Sequence, residues 1–283
     1  GVVKLPRGEP LRLILTGIAP TPDPTFLTGG YRFSVGGKFI PSSTESNSIA
    51  LAGVPGDPVQ VELAPGHYRV LATRGPEWSV SEQTLRVQAG QENVLRIKPL
   101  LRAFTPQGVI SADFHVHAAP SDDSSLPVRQ QVAAFVAMGT EVLVSTEHDV
   151  VFDYTPIMKE MGVTDRLNAI TGVEITSSAT GDVTPFTSGH ANAFPLDPEP
   201  TAYRSGSPFA ENRRLRDIIN DLHTLPHEPI LQLNHPREAG LDQDLGSYLT
   251  HLAVSERGFD PTQPLDEVPN RPLTEADPES GLR

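Results

Sequence analysis

The run Asp113-Phe114-His115-Val116-His117 constrains this chain more than any other stretch. The apolar-rich residues 109–112 before it predict the start of a β-strand. Alternate side chains of a strand share a face, so Asp113, His115 and His117 should project together. Two imidazoles on one face can reach a single metal ion, and neutral imidazole is a common ligand for zinc and related metals. On this motif alone, a pair of solvated or core histidines stays an open alternative.

Residues 1–104 predict a small all-β module. Short stretches of alternating apolar and polar residues are separated by turn signals such as Gly36-Gly37 and Pro65-Gly66, and no long helical period intervenes. This pattern is typical of an antiparallel sandwich. Residues 64–70 resemble those of carboxypeptidase-regulatory-like sandwich modules. We expect the module to pack on an enzyme, with Trp78 in a core or an interface, although Trp78 as a sugar platform is the alternative.

Residues 105–254 change to strands that alternate with helices. Apolar runs predict strands at 109–117, 142–146, 169–175, 190–194 and 230–233, and helices at 127–139, 155–162 and 207–225. Such alternation predicts an α/β protein with a parallel sheet or barrel. Residues 255–283 are rich in proline and acidic residues, which predicts a loop or tail.

Ligand-type side chains recur where the predicted strands end. His117, His148 and His235 lie at the carboxyl ends of three strands, and Glu174 lies within a fourth. In α/β barrels that rim is where functional sites are built. A buried carboxylate is costly unless it meets a cation. The convergence therefore predicts a metal site rather than a set of unrelated core residues.

Composition excludes several functions. Lys and Arg total 22 against 35 Asp and Glu, a formal net charge of -13, whereas a nucleic-acid surface needs basic patches. The chain has no cysteine, which excludes disulfides and thiolate zinc ligands. Apolar runs are too short for a membrane span. The partner we expect is a small-molecule substrate. The chain begins with Gly-Val-Val and not with Met, which is compatible with a processed form or a piece of a longer chain. A sandwich module before a metal-site domain is compatible with an exported or periplasmic bacterial protein. The oligomeric state is left open.

Five ordered motifs resemble the polymerase and histidinol phosphatase (PHP) superfamily. The match is closer to the CehA/McbA family of metallohydrolases, named for enzymes that hydrolyse N-methylcarbamates such as carbaryl. The resemblance covers about residues 64–240 and implies a distorted (β/α)7 barrel, here incomplete at its carboxyl end, with two or three metals that are usually zinc, manganese or iron. The motifs lie at 111–121, 142–149, 172–176, 189–195 and 232–237.

The resemblance also implies a ligand set. A first metal would be held by His115 and His117 and bridged through Glu174 to a second metal. The remaining matches are His190 and His235 on the second metal, and Asp123 and His148 on a third.

Other residues of the motifs match supporting roles. Asp113, Asp149 and Asn234 are candidates to orient the imidazoles through their free ring nitrogens. Arg237 either faces an anionic or carbonyl group of the substrate or forms a salt bridge at the rim. The family's final Asp-x-His motif has no counterpart after His235. We therefore expect either a fragment of a longer chain, which we favour, or a degenerate site.

The expected activity is metal-dependent hydrolysis. A water that bridges two metals can reach a pKa of about 7, and the resulting hydroxide attacks a carbonyl or phosphorus. His148 or Asp149 would pass a proton to the leaving group. Carbamates, esters or amides fit the closer family and phosphoesters the wider superfamily. The alternatives are a phosphoesterase and a noncatalytic carbohydrate- or partner-binding protein with a degenerate barrel.

Overall fold

The computed structural model describes residues 1–26, 33–35, 38–40, 47–105, 107–176, 190–210, 213 and 215–235, with 33–35, 38–40, 215 and 216 described in backbone only. The protein is mixed α/β, with many strands and few helices. The helices are α1 (Val128–Met138), α2 (Thr155–Met161) and α3 (Leu215–Leu222), with a 3-10 turn at Tyr203–Gly206. The strands are β1 (Val2–Lys4), β2 (Leu11–Gly17), β3 (Phe33–Val35), β4 (Lys38–Ile40), β5 (Ser48–Leu51), β6 (Gln60–Glu62), β7 (Gly66–Thr73), β8 (Ser81–Val87), β9 (Glu92–Val94), β10 (Ala112–Val116), β11 (Val142–Ser145), β12 (Asn168–Thr171), β13 (Val173–Thr176), β14 (His190–Phe194) and β15 (Ile230–Leu233).

The chain divides into two compact units, and each is discontinuous in sequence. The first unit comprises Gly1–Phe33, Phe39–Val144 and Asp153–Ile170. The second comprises Ser34–Lys38, Ser145–Phe152 and Thr171–Arg283. The domain limits predicted from the sequence, 1–104, 105–254 and 255–283, stay a prediction.

Two sheets of the first unit share one apolar core. The antiparallel sheet has the order β5-β2-β7-β8, and the smaller sheet has the order β6-β1-β9. Alternation on β2 buries Leu11, Leu13 and Leu15 on one face, as a half-buried strand requires. These leucines pack with Tyr68 of β7 and Val3 of β1. The tyrosine hydroxyl donates to the carbonyl of Ala64 over 2.9 Å, so the buried ring keeps its polar end satisfied.

Helices α1 and α2 also belong to the first unit. Gly139 ends α1 as predicted, whereas Pro127, predicted as the first residue of the helix, precedes it at the N-cap position. Gly139 has φ of 74°, a left-handed conformation that suits glycine. Helix α1 packs on β2, β5 and α2, and the three-stranded sheet of this unit has the order β10-β11-β12.

The second unit contains an antiparallel sheet in the order β13-β14-β15. This pairing differs from the parallel sheet that the sequence predicted. The (β/α)7 barrel is not supported either, because the described part of the chain is poor in helices and its sheets are small. Apolar periodicity specifies the type of an element but neither the partner of a strand nor its direction, which explains the error.

This antiparallel sheet has one apolar and one polar face. Val173, Ile175 and Ala193 join α3 residues Ile218 and Leu222 in a buried cluster. On the opposite face Glu174 lies in register with Asn192 of β14 and Gln232 of β15. A polar face of this kind needs internal hydrogen bonds or a bound cation to offset the loss of water.

The strand predicted at 169–175 is interrupted at Gly172, which precedes β13. A Cβ at this position would lie 2.7 Å from the carbonyl oxygen of Ala193 and 2.8 Å from Cβ of Phe194. The missing side chain thus lets β13 approach β14 closely.

Among the helices that the structure describes, none has the length and apolarity needed to cross a membrane.

Candidate metal centre

The carboxylate of Glu174 is the centre of the polar face of the β13-β14-β15 sheet. The residue is 0% exposed. Its Oε1 lies 3.2 Å from Nδ1 of His190 and 3.3 Å from Nε2 of His235, and its Oε2 lies 3.3 Å from Nδ1 of His148. Three imidazoles predicted as ligands therefore surround the carboxylate that was predicted to bridge two metals.

The separations between these atoms fit a shared cation. Ligand atoms at about 2.0–2.2 Å from one tetrahedral zinc ion lie about 3.3–3.5 Å from each other. His148, Glu174 and His190 each offer one ligand atom, and these atoms lie within 4.8 Å of one another. Imidazole and carboxylate donors are common ligands of divalent metal ions. The buried His and Glu groups can thus hold a metal ion.

The strand pairing of the second unit fixes His190 and His235 beside Glu174. His190 begins β14 in register with Thr176, and the N–H of Asn234 donates to the carbonyl of His190 over 3.0 Å. His235 follows directly after Asn234, and its φ of 24° is positive. The two imidazole rings have centroids 4.7 Å apart and are nearly perpendicular. Backbone pairing thus brings residues distant in sequence onto one carboxylate.

Asn234 holds the carboxylate rather than an imidazole. Its Nδ2 donates to Oε1 of Glu174 over 2.9 Å and to Oδ1 of Asn192 over 2.6 Å. All three side chains are buried. Asn234 was predicted to orient an imidazole, whereas its described contacts place the amide on the carboxylate of Glu174.

His148 is oriented by Thr176. Nδ1 of His148 lies 2.6 Å from Oγ1 of Thr176, and that hydroxyl donates to the carbonyl of Glu174 over 3.4 Å. Oε2 of Glu174 faces the same ring nitrogen at 3.3 Å. Without a cation, Nδ1 can donate to one of these oxygens, and with a cation it would offer its lone pair.

Asp149 is bound on both sides of its carboxylate. Oδ1 accepts the N–H of Thr176 over 2.8 Å, and Oδ2 lies 3.4 Å from Nη1 of Arg204. The N–H of Asp149 donates in turn to the carbonyl of Glu174 over 2.8 Å. Asp149 therefore ties the segment after β11 to the end of β13, which suits a positioning role better than the proton transfer predicted for it.

His115 and His117 form a pair within the first unit. Their Nε2 atoms lie 2.8 Å apart, and Nδ1 of His117 lies 3.0 Å from Oγ of the buried Ser121. The alternation predicted for β10 thus brings the two ring nitrogens together. Asp113 is exposed and accepts the N–H of His115 over 3.1 Å.

Asp123 and Arg237 are the two remaining residues of the predicted site. Asp123 is an exposed residue of the first unit. Arg237 lies outside the described residues, so its predicted contact with substrate stays a prediction.

Four residues that the sequence reasoning gave no role take part in these contacts. Thr176 and Asn192 follow Glu174 and His190 by two positions, so strand alternation alone places them on the same face. Ser121 follows His117 by four residues through a loop, and Arg204 lies in a turn with a positive φ of 45°. No sequence pattern signals these last two contacts.

Comparison of the chain with protein-family models, curated proteins and solved structures finds no match. The side chains described above are therefore the basis for assigning the class of protein.

Proposed function

We propose that this protein is a metal-dependent hydrolase of the PHP kind. The carrying observation is the fully buried carboxylate of Glu174 with imidazole nitrogens of His148, His190 and His235 at 3.2–3.3 Å. A buried ionised carboxylate costs several kcal/mol unless it is paired, by an order-of-magnitude estimate. Neutral imidazoles compensate that charge poorly, whereas cations held between Glu174 and these imidazoles would offset it.

Each residue has a defined part in this proposal. Glu174 supplies the negative charge and, by the resemblance, spans two metal positions. His190 and His235 donate ring-nitrogen lone pairs, and Asn234 fixes the carboxylate through its amide. A bound divalent cation would supply an activated water and polarise a carbonyl or phosphoryl oxygen. His148, whose ring is oriented by Thr176 at Nδ1, would pass a proton to the leaving group.

Part of the ligand set rests on the resemblance alone. His115 and His117 would hold the first metal, Asp123 would join His148 on a third, and Arg237 would face the substrate. Their assignment to this centre is a proposal that metal stoichiometry tests. Replacing His115 and His117, or Asp123 and His148, should lower the number of metal ions bound per chain.

The substrate class follows from chemistry and charge. The site needs no serine or cysteine nucleophile, which suits a carbamate, ester or amide attacked by water. The net charge of -13 opposes a polyanionic substrate, so a neutral carbonyl compound is favoured over a phosphoester.

Metal analysis and hydrolysis assays test the proposal together. The purified chain should contain two or three divalent metals by plasma mass spectrometry and should hydrolyse a nitrophenyl ester, carbamate or phosphate. Glu174→Gln should remove metal and turnover. His223→Ala is the matched control, because that exposed histidine pairs with Glu228 over 2.6 Å outside the centre.

The outcomes separate the enzyme from its alternative. Turnover lost in Glu174→Gln and kept in His223→Ala supports the hydrolase. The noncatalytic binding protein is supported if the folded chain binds no metal and shows no turnover. In that case a glycan column should retain the chain equally with and without chelator.

A further inference from the structure

A cleft of the first unit separates the β2-β5 edge of the sandwich sheet from helix α1. Its volume is about 610 Å³, within the range of about 300 to 1,000 Å³ that small-molecule sites occupy. Strands and helix both belong to the first unit, and α1 packs directly on β2 and β5. The cleft thus lies within a single compact unit.

The sequence of α1 explains why space remains there. The helix buries Val128, Val132 and Val136 elsewhere. The cleft receives mainly short or polar side chains of the helix, including Ala133 and Ala134. Alanine side chains are too short to fill the space between this part of the helix and the sheet. A cleft therefore remains beside the contacts that α1 makes with β2 and β5.

The walls of the cleft are mainly apolar but carry one cation. Ala50, Val61 and the two alanines of α1 provide the apolar surface, and Gln130 lies at the wall. Arg12 of β2 lines the same space, in register with Ala50 of β5. Apolar walls with a few placed polar groups are the usual composition of a ligand site.

The charge of Arg12 lacks a counter-ion within the residues that the structure describes. Its Nη2 donates to Oγ of Ser48 over 3.1 Å, and no described carboxylate pairs with it. The residue is half-buried. A guanidinium beside apolar surface gains from a planar anion, because it can donate two parallel hydrogen bonds to a carboxylate. Arg69, an exposed arginine of the same sheet, pairs with Glu82.

We propose that this cleft binds a small amphiphilic anion: a carboxylate with an apolar body. The carboxylate lies on Arg12, and the body lies over Ala50, Val61 and the alanines of α1. Gln130 donates or accepts a further hydrogen bond at the wall. This site is separate in its residues from the centre around Glu174, and its occupancy does not depend on turnover.

Calorimetric titration with octanoate and its neutral counterpart octanamide tests the site. Octanoate should bind with one molecule per chain, and Arg12→Met should weaken it by about tenfold or more, the loss expected when a charged hydrogen-bonding partner is removed. Octanamide should bind the parent and Arg12→Met equally. Arg86→Met, an exposed arginine of β8 that does not line the cleft, should change neither ligand.

A second variant distinguishes loss of the binding site from loss of folding. Ala134→Trp fills the cleft from the helix and should abolish binding of both ligands while the unfolding midpoint stays near that of the parent. Unsaturable octanoate binding, or binding that survives both Arg12→Met and Ala134→Trp in folded protein, overturns the proposal. Loss of hydrolysis with intact octanoate binding would count against the proposed function alone.

Discussion

The amide of Asn234 donates to Oε1 of Glu174 over 2.9 Å, and both residues are buried. The same amide group also donates to Asn192, so its orientation is determined by two acceptors. Asn234 follows β15, so its contact with Asn192 joins neighbouring strands and its contact with Glu174 reaches across β14 to β13. The backbone register of all three strands is fixed by hydrogen bonds at this point. The carboxylate is therefore held in one position before any cation binds.

Removing this amide should weaken metal binding. Partners that orient a metal ligand typically contribute about 10- to 100-fold in affinity, and Asn234→Ala should cost that much. Competition with a chromophoric chelator measures the loss. Asn220→Ala, an exposed asparagine of α3, should bind metal as the parent does. Unchanged affinity in Asn234→Ala would show that Glu174 does not need the amide.

Removal of metal should destabilise the protein. A cation at 100 times its dissociation constant adds about 2.7 kcal/mol to the free energy of unfolding, so a chelator should lower the unfolding temperature. Calorimetry of parent and Glu174→Gln, each with and without chelator, measures the effect. The variant should not respond to chelator. An equal response of both proteins would assign the stabilising metal to other residues.

Sequence reasoning located the local features of the centre. Alternation within β10 predicted that His115 and His117 meet, and their Nε2 atoms lie 2.8 Å apart. The strands that carry His190 and precede His235 were predicted with their observed bounds, 190–194 and 230–233. These successes share one cause: side-chain spacing along a single element follows directly from the backbone period.

Features that depend on pairing were not available from the sequence. Nothing in the composition of β13 and β14 specifies that they run antiparallel, yet this places Glu174 opposite Asn192. The helix predicted from residue 207 begins only at Leu215. Before it, Arg204 and Ser205 take φ of 45° and 57°, conformations that glycine or asparagine would have signalled but these residues do not.

A carboxylate of the sandwich should make stability depend on pH. The hydrogen bond from Arg69, with a smaller contribution from its charge, lowers the pKa of Glu82. A lowered pKa in the folded state means that the pair stabilises above the ordinary Glu pKa and loses that contribution as the pH falls through the lowered value. Both groups are exposed, so the effect should be small.

Urea unfolding of Glu82→Gln and the parent at neutral and strongly acidic pH measures this contribution. The parent should have the higher midpoint at neutral pH, and the difference should vanish in acid. Glu62→Gln on β6 is the control. A difference that persists unchanged in acid would mean that the charge of Glu82 is not its cause.

Gly172→Ala should disturb both stability and the metal centre. The added methyl would lie 2.7 Å from the carbonyl oxygen of Ala193, so β13 must move away from β14. Overpacking of this kind costs about 1–3 kcal/mol. Because Glu174 lies two residues further along β13, metal affinity should fall as well.

Denaturant unfolding and chelator competition measure the two effects of Gly172→Ala. Gly108→Ala separates steric crowding from backbone strain: Gly108 has φ of 72°, and its added methyl meets nothing within 4 Å. That variant should lose some stability through strain and keep its metal affinity. Metal affinity that is unaffected in Gly172→Ala would show that the close approach of β13 to β14 is not what positions Glu174.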